Sequence, residues 1–172
     1  MPFSNSAISE RVEASPRRLR LLPVCAMLMG MLALTSCGHP THFSRSDFDG
    51  KLQCAPYARE KTGVALRGRA SSWWTQARGR YARTQRPSKN ALLVFRSTSR
   101  IPSGHISIVR KIVSSRKILV EHANWEPGAI DKNVPVIDIS KRNNWSLVRV
   151  YWKPIHRMGT GRYATYGFIL PN

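Results

Sequence analysis

The feature that most constrains this chain is an uncharged apolar run at residues 21–34 (LLPVCAMLMGMLAL), preceded by Arg17, Arg18 and Arg20. The run is short for a bilayer span. A basic flank leading into an apolar stretch has the form of an export signal, which does not survive in the mature protein. Loss of residues 1–36 leaves 136 of the 172 residues, which suits one domain with a single modest core and excludes a second. The polar, glycine-containing residues 41–50 then read as a tether or loop.

The run closes with Leu34-Thr35-Ser36-Cys37, which resembles the lipobox of bacterial lipoproteins. The resemblance implies a signal peptide over residues 1–36, an acylated Cys37 as the new N-terminus, and a lipid anchor with its tether over 37–50. Gly38 follows the cysteine, and the absence of aspartate there resembles lipoproteins sorted to the outer membrane. In a two-membrane bacterium the domain would face the periplasm. The competing reading is a plain secretory signal or a signal anchor, with Cys37 incidental. The segment before the basic cluster is long for such a signal, which leaves the true start codon open.

The cysteines sort by position. Cys25 falls in the discarded segment, Cys37 is consumed by lipid, and Cys54 is the one left free, so no intramolecular disulfide is available. A lone thiol in an oxidising compartment is a liability unless it is buried or used. With Arg11, Arg17, Arg18, Arg20, Glu10 and Glu13 removed, the net charge falls from +19 to +17. Such a surface is drawn to polyanions. For an exported chain, anionic glycans and membrane surfaces are more reachable than nucleic acid, although residues 67–86 interleave basic and aromatic residues as nucleic-acid binders do. A merely solvated basic surface is the plainer alternative.

Periodicity predicts a short helix over residues 52–61 (LQCAPYAREK), with Cys54 in its first turn, Asp49 or Gln53 near the cap, and Pro56 tolerated where no N–H is needed. Residues 70–81 form a second helical candidate, weakened by Gly79. After Pro87 come β-branched apolar runs, read as strands at 92–95, 106–113, 117–122, 134–139 and 147–152. Helices followed by an antiparallel sheet make an α+β layout. Trp145 and Trp152, in or beside strands, are expected in the core, and His39, His42 and His156 in exposed loops.

A thiolate is the nucleophile in cysteine catalysis, and a helix N-terminus lowers the thiol pKa by aiming backbone N–H dipoles at the sulfur. Cys54 is expected in that setting. His105, after Pro102-Ser103-Gly104, supplies a base, and a third polar group usually orients such a base. A two-residue loop at Ser114-Ser115 puts Asn124 across from His105, His122 diagonal on the same face, and Glu121 on the other face. A three-residue loop reverses the faces. By default a solitary cysteine is a buried hydrophobe, and only the company of His105 argues otherwise. Cys54, His105 and His122 lack the spacing of a metal motif, so neither metal nor other cofactor is expected.

Three blocks, LQCAPYAR at 52–59, GHISIV at 104–109 and VEHANW at 120–125, resemble in order the motifs of the CHAP family, the cysteine, histidine-dependent amidohydrolases and peptidases. Residues 163–171 resemble the C-terminal end of bacterial members. The resemblance implies a catalytic domain over residues 51–172 with a papain-like fold, in which a cysteine-bearing helix packs on a five- to six-stranded antiparallel sheet. It implies hydrolysis of peptidoglycan amide bonds, with Cys54 as nucleophile and His105 as general base. Many members carry Glu two residues before the Asn-Trp pair, where this chain has His122; His122 is therefore the first choice for the third residue, Asn124 the second, and Glu121 stays open. Gln53 is a candidate for the oxyanion site, or equally a helix cap. Trp125 would shield the histidine contact, and Trp73, Trp74 and Trp125 are candidates for a glycan-stacking groove, with core packing the alternative for the first two. Two other functions stay in view: an envelope- or peptidoglycan-binding module without turnover, and a hydrolase of another envelope amide. Which bond is cut, and the oligomeric state, are not encoded in these motifs.

Overall fold

Helix α1 (Cys54–Thr62) begins after Gln53, whose backbone is extended and whose side chain makes no capping bond. It ends on Gly63, held at φ 71° with its N–H on the Arg59 carbonyl, a left-handed stop that glycine adopts without a Cβ penalty. The computed structural model describes residues 52–172. The export signal, Cys37, the 37–50 tether, His39, His42 and Asp49 lie outside the described residues. The second helix is shorter than its pattern indicates: a 3-10 turn at Ala70–Ser72 runs into α2 (Trp73–Gln76), and the chain turns away from Ala77 onward.

Eight strands follow: β1 (Ala82–Thr84), β2 (Leu92–Phe95), β3 (His105–Ser114), β4 (Lys117–Ala123), β5 (Ile130–Asp138), β6 (Leu147–Trp152), β7 (Arg157–Met158) and β8 (Tyr163–Leu170). All pairings are antiparallel. Strands β2 to β6 pair consecutively, and β8 joins β2 on one side and β6 on the other, closing a six-stranded barrel flanked by β1 and β7. This corrects the α+β, papain-like expectation. Among the described residues strand outweighs helix, and the sheet is closed rather than an open layer carrying a helix.

Closure depends on β8, a strand the periodicity reading did not propose. Its residues Thr165 to Ile169 pair with β2, while Tyr163 and Ala164 pair with β6. Strands must also bend to close, and register shifts at Val94/Phe95, Val109/Lys111, Ile112/Ser114 and Val120/His122 provide the bends. At one bend Gly167 takes φ 125°, and a Cβ there would sit 2.6 Å from the Thr84 carbonyl oxygen.

Two apolar cores result. Leu93, Phe95, Val109, Val120, Val134, Val136, Val148 and Phe168, from every strand of the ring, fill the interior together with Trp145. The opposite faces of β2, β3 and β8 present Val94, Ile106, Ile108 and Ile169 to a second core under the helical segments, with Tyr57, Leu66 and Trp73. All four residues of β2 are therefore buried, which explains its uninterrupted apolar sequence. Burial of each such large side chain contributes about 1.5–3 kcal/mol. Trp145 is in the core as expected, whereas Trp152 is half-buried. Helix α1 lies against β3 and β4, which brings Cys54 to the strands that carry the histidines.

Candidate active site

Cys54 is the first residue of α1 and is half-buried. The backbone amides of Ile106, Ala55 and Cys54 itself favour the thiolate, but burial outweighs them and raises the thiol above its usual range. The lowering expected from the helix N-terminus is not found, because the cost of removing the sulfur from water exceeds it. Cys54 rests as a thiol near neutrality.

Ile106, the first-named of these amides, follows His105 at the start of β3. The strand is entered through Gly104 at φ 70°, where a Cβ would lie 2.6 Å from the Phe95 carbonyl oxygen and 2.8 Å from Ser71 Cβ. Ser71 N–H also donates to the Ser103 carbonyl at 3.0 Å, so the loop before His105 is clamped rather than free.

The β3–β4 turn falls at Ser115-Arg116, one residue beyond the expected Ser114-Ser115, because Ser114 pairs with Lys117. Two bulges then return the register, so that Ile108 faces Glu121 and Val109 faces Val120, the alignment the earlier turn would have given. His122 Nδ1 consequently lies 3.1 Å from His105 Nε2 and 3.1 Å from Ser107 Oγ. Glu121 points to the helix side, where the Tyr57 hydroxyl and Arg110 Nε (3.1 Å) donate to its carboxylate. Burial opposes its charge, but these two donors prevail and hold the carboxyl below its usual range. Asn124, in the turn after β4 at φ 59°, accepts the Gly128 N–H on Oδ1 at 2.9 Å. It lines the cleft, but that oxygen is engaged with its own turn.

Both imidazoles are buried, and burial disfavours their protonated forms. His105 is lowered well below the ordinary imidazole value by burial and then by His122. His122 is lowered to about 4 by burial, with Asp131 acting upward and Lys153 downward. The pair is neutral near pH 7. Trp125 covers it, its ring stacked on His122 at 5.5 Å and edge-on to His105 at 4.9 Å, with Phe95 and Tyr163 behind. Cys54, His105, Asn124 and Trp125 share one open cleft of about 470 Å³, within the usual size of a ligand site.

Residues 44–124 match the family model of the CHAP domain. No curated protein and no solved structure matches the chain. CHAP domains are in general cysteine- and histidine-dependent amidohydrolases and peptidases related to peptidoglycan. The CHAP match contains Cys54, His105, His122 and Asn124, while β5 to β8, half of the strands, lie beyond its end.

Within this CHAP-matched region and beside it, the structure separates the sequence-derived site residues. Gln53 is exposed, lines the cleft and does not cap α1 with its side chain. Trp73 is fully buried in the core beneath the sheet, which removes it from any groove. Trp74 stacks on Tyr166 at 5.9 Å with Arg83 over its ring at 4.8 Å, away from the cleft. Of the three groove candidates, Trp125 alone lines the cleft. Ser107 was not singled out from sequence, although its place two residues after His105 put it on the same strand face. The Ile106 amide and Asp131 carried no sequence signal, since both depend on packing between distant elements.

Proposed function

We propose that the chain is a cysteine-dependent peptidoglycan hydrolase, an amidase or endopeptidase, held in the bacterial envelope by lipid on Cys37. The observation that carries this reading is that Cys54 and His105 line one cleft, with His105 Nε2 3.1 Å from His122 Nδ1. For His105 to act as base at Nδ1, the neutral ring must carry its proton on Nε2, and His122 Nδ1 is placed to accept that bond.

The chemistry follows from these positions. Sγ attacks the scissile carbonyl as its proton passes to His105 Nδ1, and the carbonyl oxygen takes the negative charge. N–H groups at the start of α1 are the nearest preorganised donors for that oxygen. Collapse breaks the C–N bond, the proton on His105 goes to the leaving nitrogen, and a thioester remains. Water, deprotonated by the same imidazole, then releases the acid. Because thiol and imidazole both rest neutral, the transfer accompanies attack rather than preceding it.

Purified chain incubated with sacculi should release soluble fragments whose new termini, read by mass spectrometry, identify the bond. Cys54→Ala should release none, and equal release by that variant would remove the hydrolase reading. The raised thiol favours one alternative, a peptidoglycan-binding module without turnover. That module would bind sacculi in a salt-sensitive way and release nothing.

A further inference from the structure

The imidazole pair has a neighbour that the reaction above does not use. β5 flanks β4 on the side away from β3 and sets Asp131 directly opposite His122 in register. Asp131 is buried, 5% exposed, and its Oδ1 lies 2.6 Å from Nζ of Lys153, in the 3-10 turn (Lys153–Ile155) that follows β6. Lys153 itself reaches solvent. His122 commits Nδ1 to His105 and Ser107 on β3, and its Nε2 is buried with no hydrogen-bond partner among the described residues.

The reaction deposits charge here. Once the Cys54 proton has moved to His105 and the sulfur's electron pair has entered the new Sγ–C bond, a buried imidazolium remains until the leaving nitrogen takes the proton. An unbalanced cation in a dry interior is costly. From β3 the pair is faced by Ser107, which is neutral, and from α1 by Cys54, whose charge has passed to the carbonyl oxygen. Glu121 on β4 is turned to the opposite face and held by Tyr57 and Arg110. Asp131 on β5 and Lys153 after β6 are the charged groups that remain.

We propose that Asp131 is a positioning residue of this reaction, its buried carboxylate opposite His122 supplying the counter-charge for the protonated imidazole pair, with Lys153 limiting how much of that charge is felt. The inference rests on the hydrolase reading. The signs agree with it: Asp131 favours protonation of His122, and Lys153 opposes it. The pairing also gives the buried carboxylate a reason to keep a solvent-facing partner, since Lys153 can yield without disturbing the core.

Asp131→Asn and Lys153→Gln test the proposal through opposite shifts. In the pH profile of kcat/KM on sacculus-derived peptides, the acidic limb should move to lower pH in Asp131→Asn and to higher pH in Lys153→Gln. In Asp131→Asn, kcat should fall by about tenfold or more, the equivalent of one pKa unit, with KM little changed. NMR titration of the His105 and His122 imidazoles reads the same shifts without turnover. It thus separates failure of this proposal from failure of the hydrolase reading. Coincident titrations and acidic limbs in the parent and both variants would overturn it. If Asp131→Asn fails to fold, the surface-reaching Lys153→Gln decides alone.

Discussion

At the scale of single residues, the site is a neutral thiol and a neutral imidazole lining one cleft, and burial is the cause of both states. Burial acts on Cys54 upward and on His105 downward, so the two resting pKa values move apart rather than cross. A preformed thiolate–imidazolium pair is therefore not the resting state. A base must be unprotonated to act, and lowering its pKa keeps it so at more acidic pH. The acidic limb of kcat/KM should accordingly lie below the ordinary imidazole value of roughly 6.5. A limb at or above that value in a pH–rate profile would contradict the assignment of His105 as the buried base. The three candidates for the third residue differ in their contacts: His122 touches His105, Asn124 bonds within its own turn, and Glu121 bonds to Tyr57 of the helix.

At the scale of elements, the strands β2 and β6 were legible because their apolar patterns match their burial, and so was the helix that carries Cys54, though it starts at Cys54 rather than at Leu52. The site register was legible for a less direct reason. The turn lies one residue later than expected, and bulges at Val109/Lys111 and Ile112/Ser114 cancel the displacement before the strand reaches His105. Bulges leave no local mark in β-branched sequence, so that cancellation could not be foreseen. The entry loop shows the same dependence on packing. Gly104 reads as flexibility in sequence, but in the fold it permits contact with Phe95 and Ser71. Gly104→Ala should combine an unfavourable φ with collision against a backbone oxygen. We expect a loss of about 1–3 kcal/mol in denaturant unfolding and a lower kcat through a displaced His105. Unchanged stability and turnover would show that the loop has room to spare.

At the scale of the whole molecule, the barrel was not legible. Its closing strand, β8, has an alternating sequence broken by Gly167, and its two partners are distant in the chain, so no local pattern announces the ring. The helix-on-sheet expectation followed from family resemblance at β3, β4 and α1, which do pack together, but those elements are one sector of a closed structure. Charge is also a whole-molecule property. The described residues carry 22 Lys and Arg against Glu60, Glu121, Glu126, Asp131 and Asp138, and ion pairs already engage four of these acids. Little negative charge is left to balance protonation of the buried imidazoles. For His122, whose folded value of about 4 lies below the unfolded one, the unfolded chain binds more protons between those values. Stability is therefore full above roughly pH 6.5 and declines as pH falls toward 4, by on the order of 3 kcal/mol. Urea unfolding across that window should show the decline, and His122→Gln should reduce it to the part that buried His105 contributes.

The central claim is that Cys54 becomes covalently acylated by the carbonyl it attacks. Intact-protein mass spectrometry of the chain, acid-quenched during turnover of muropeptides, measures this directly. The account predicts an added substrate acyl mass that maps to Cys54 and is missing in Cys54→Ala. Fragment release without any adduct, persisting in Cys54→Ala, would contradict it.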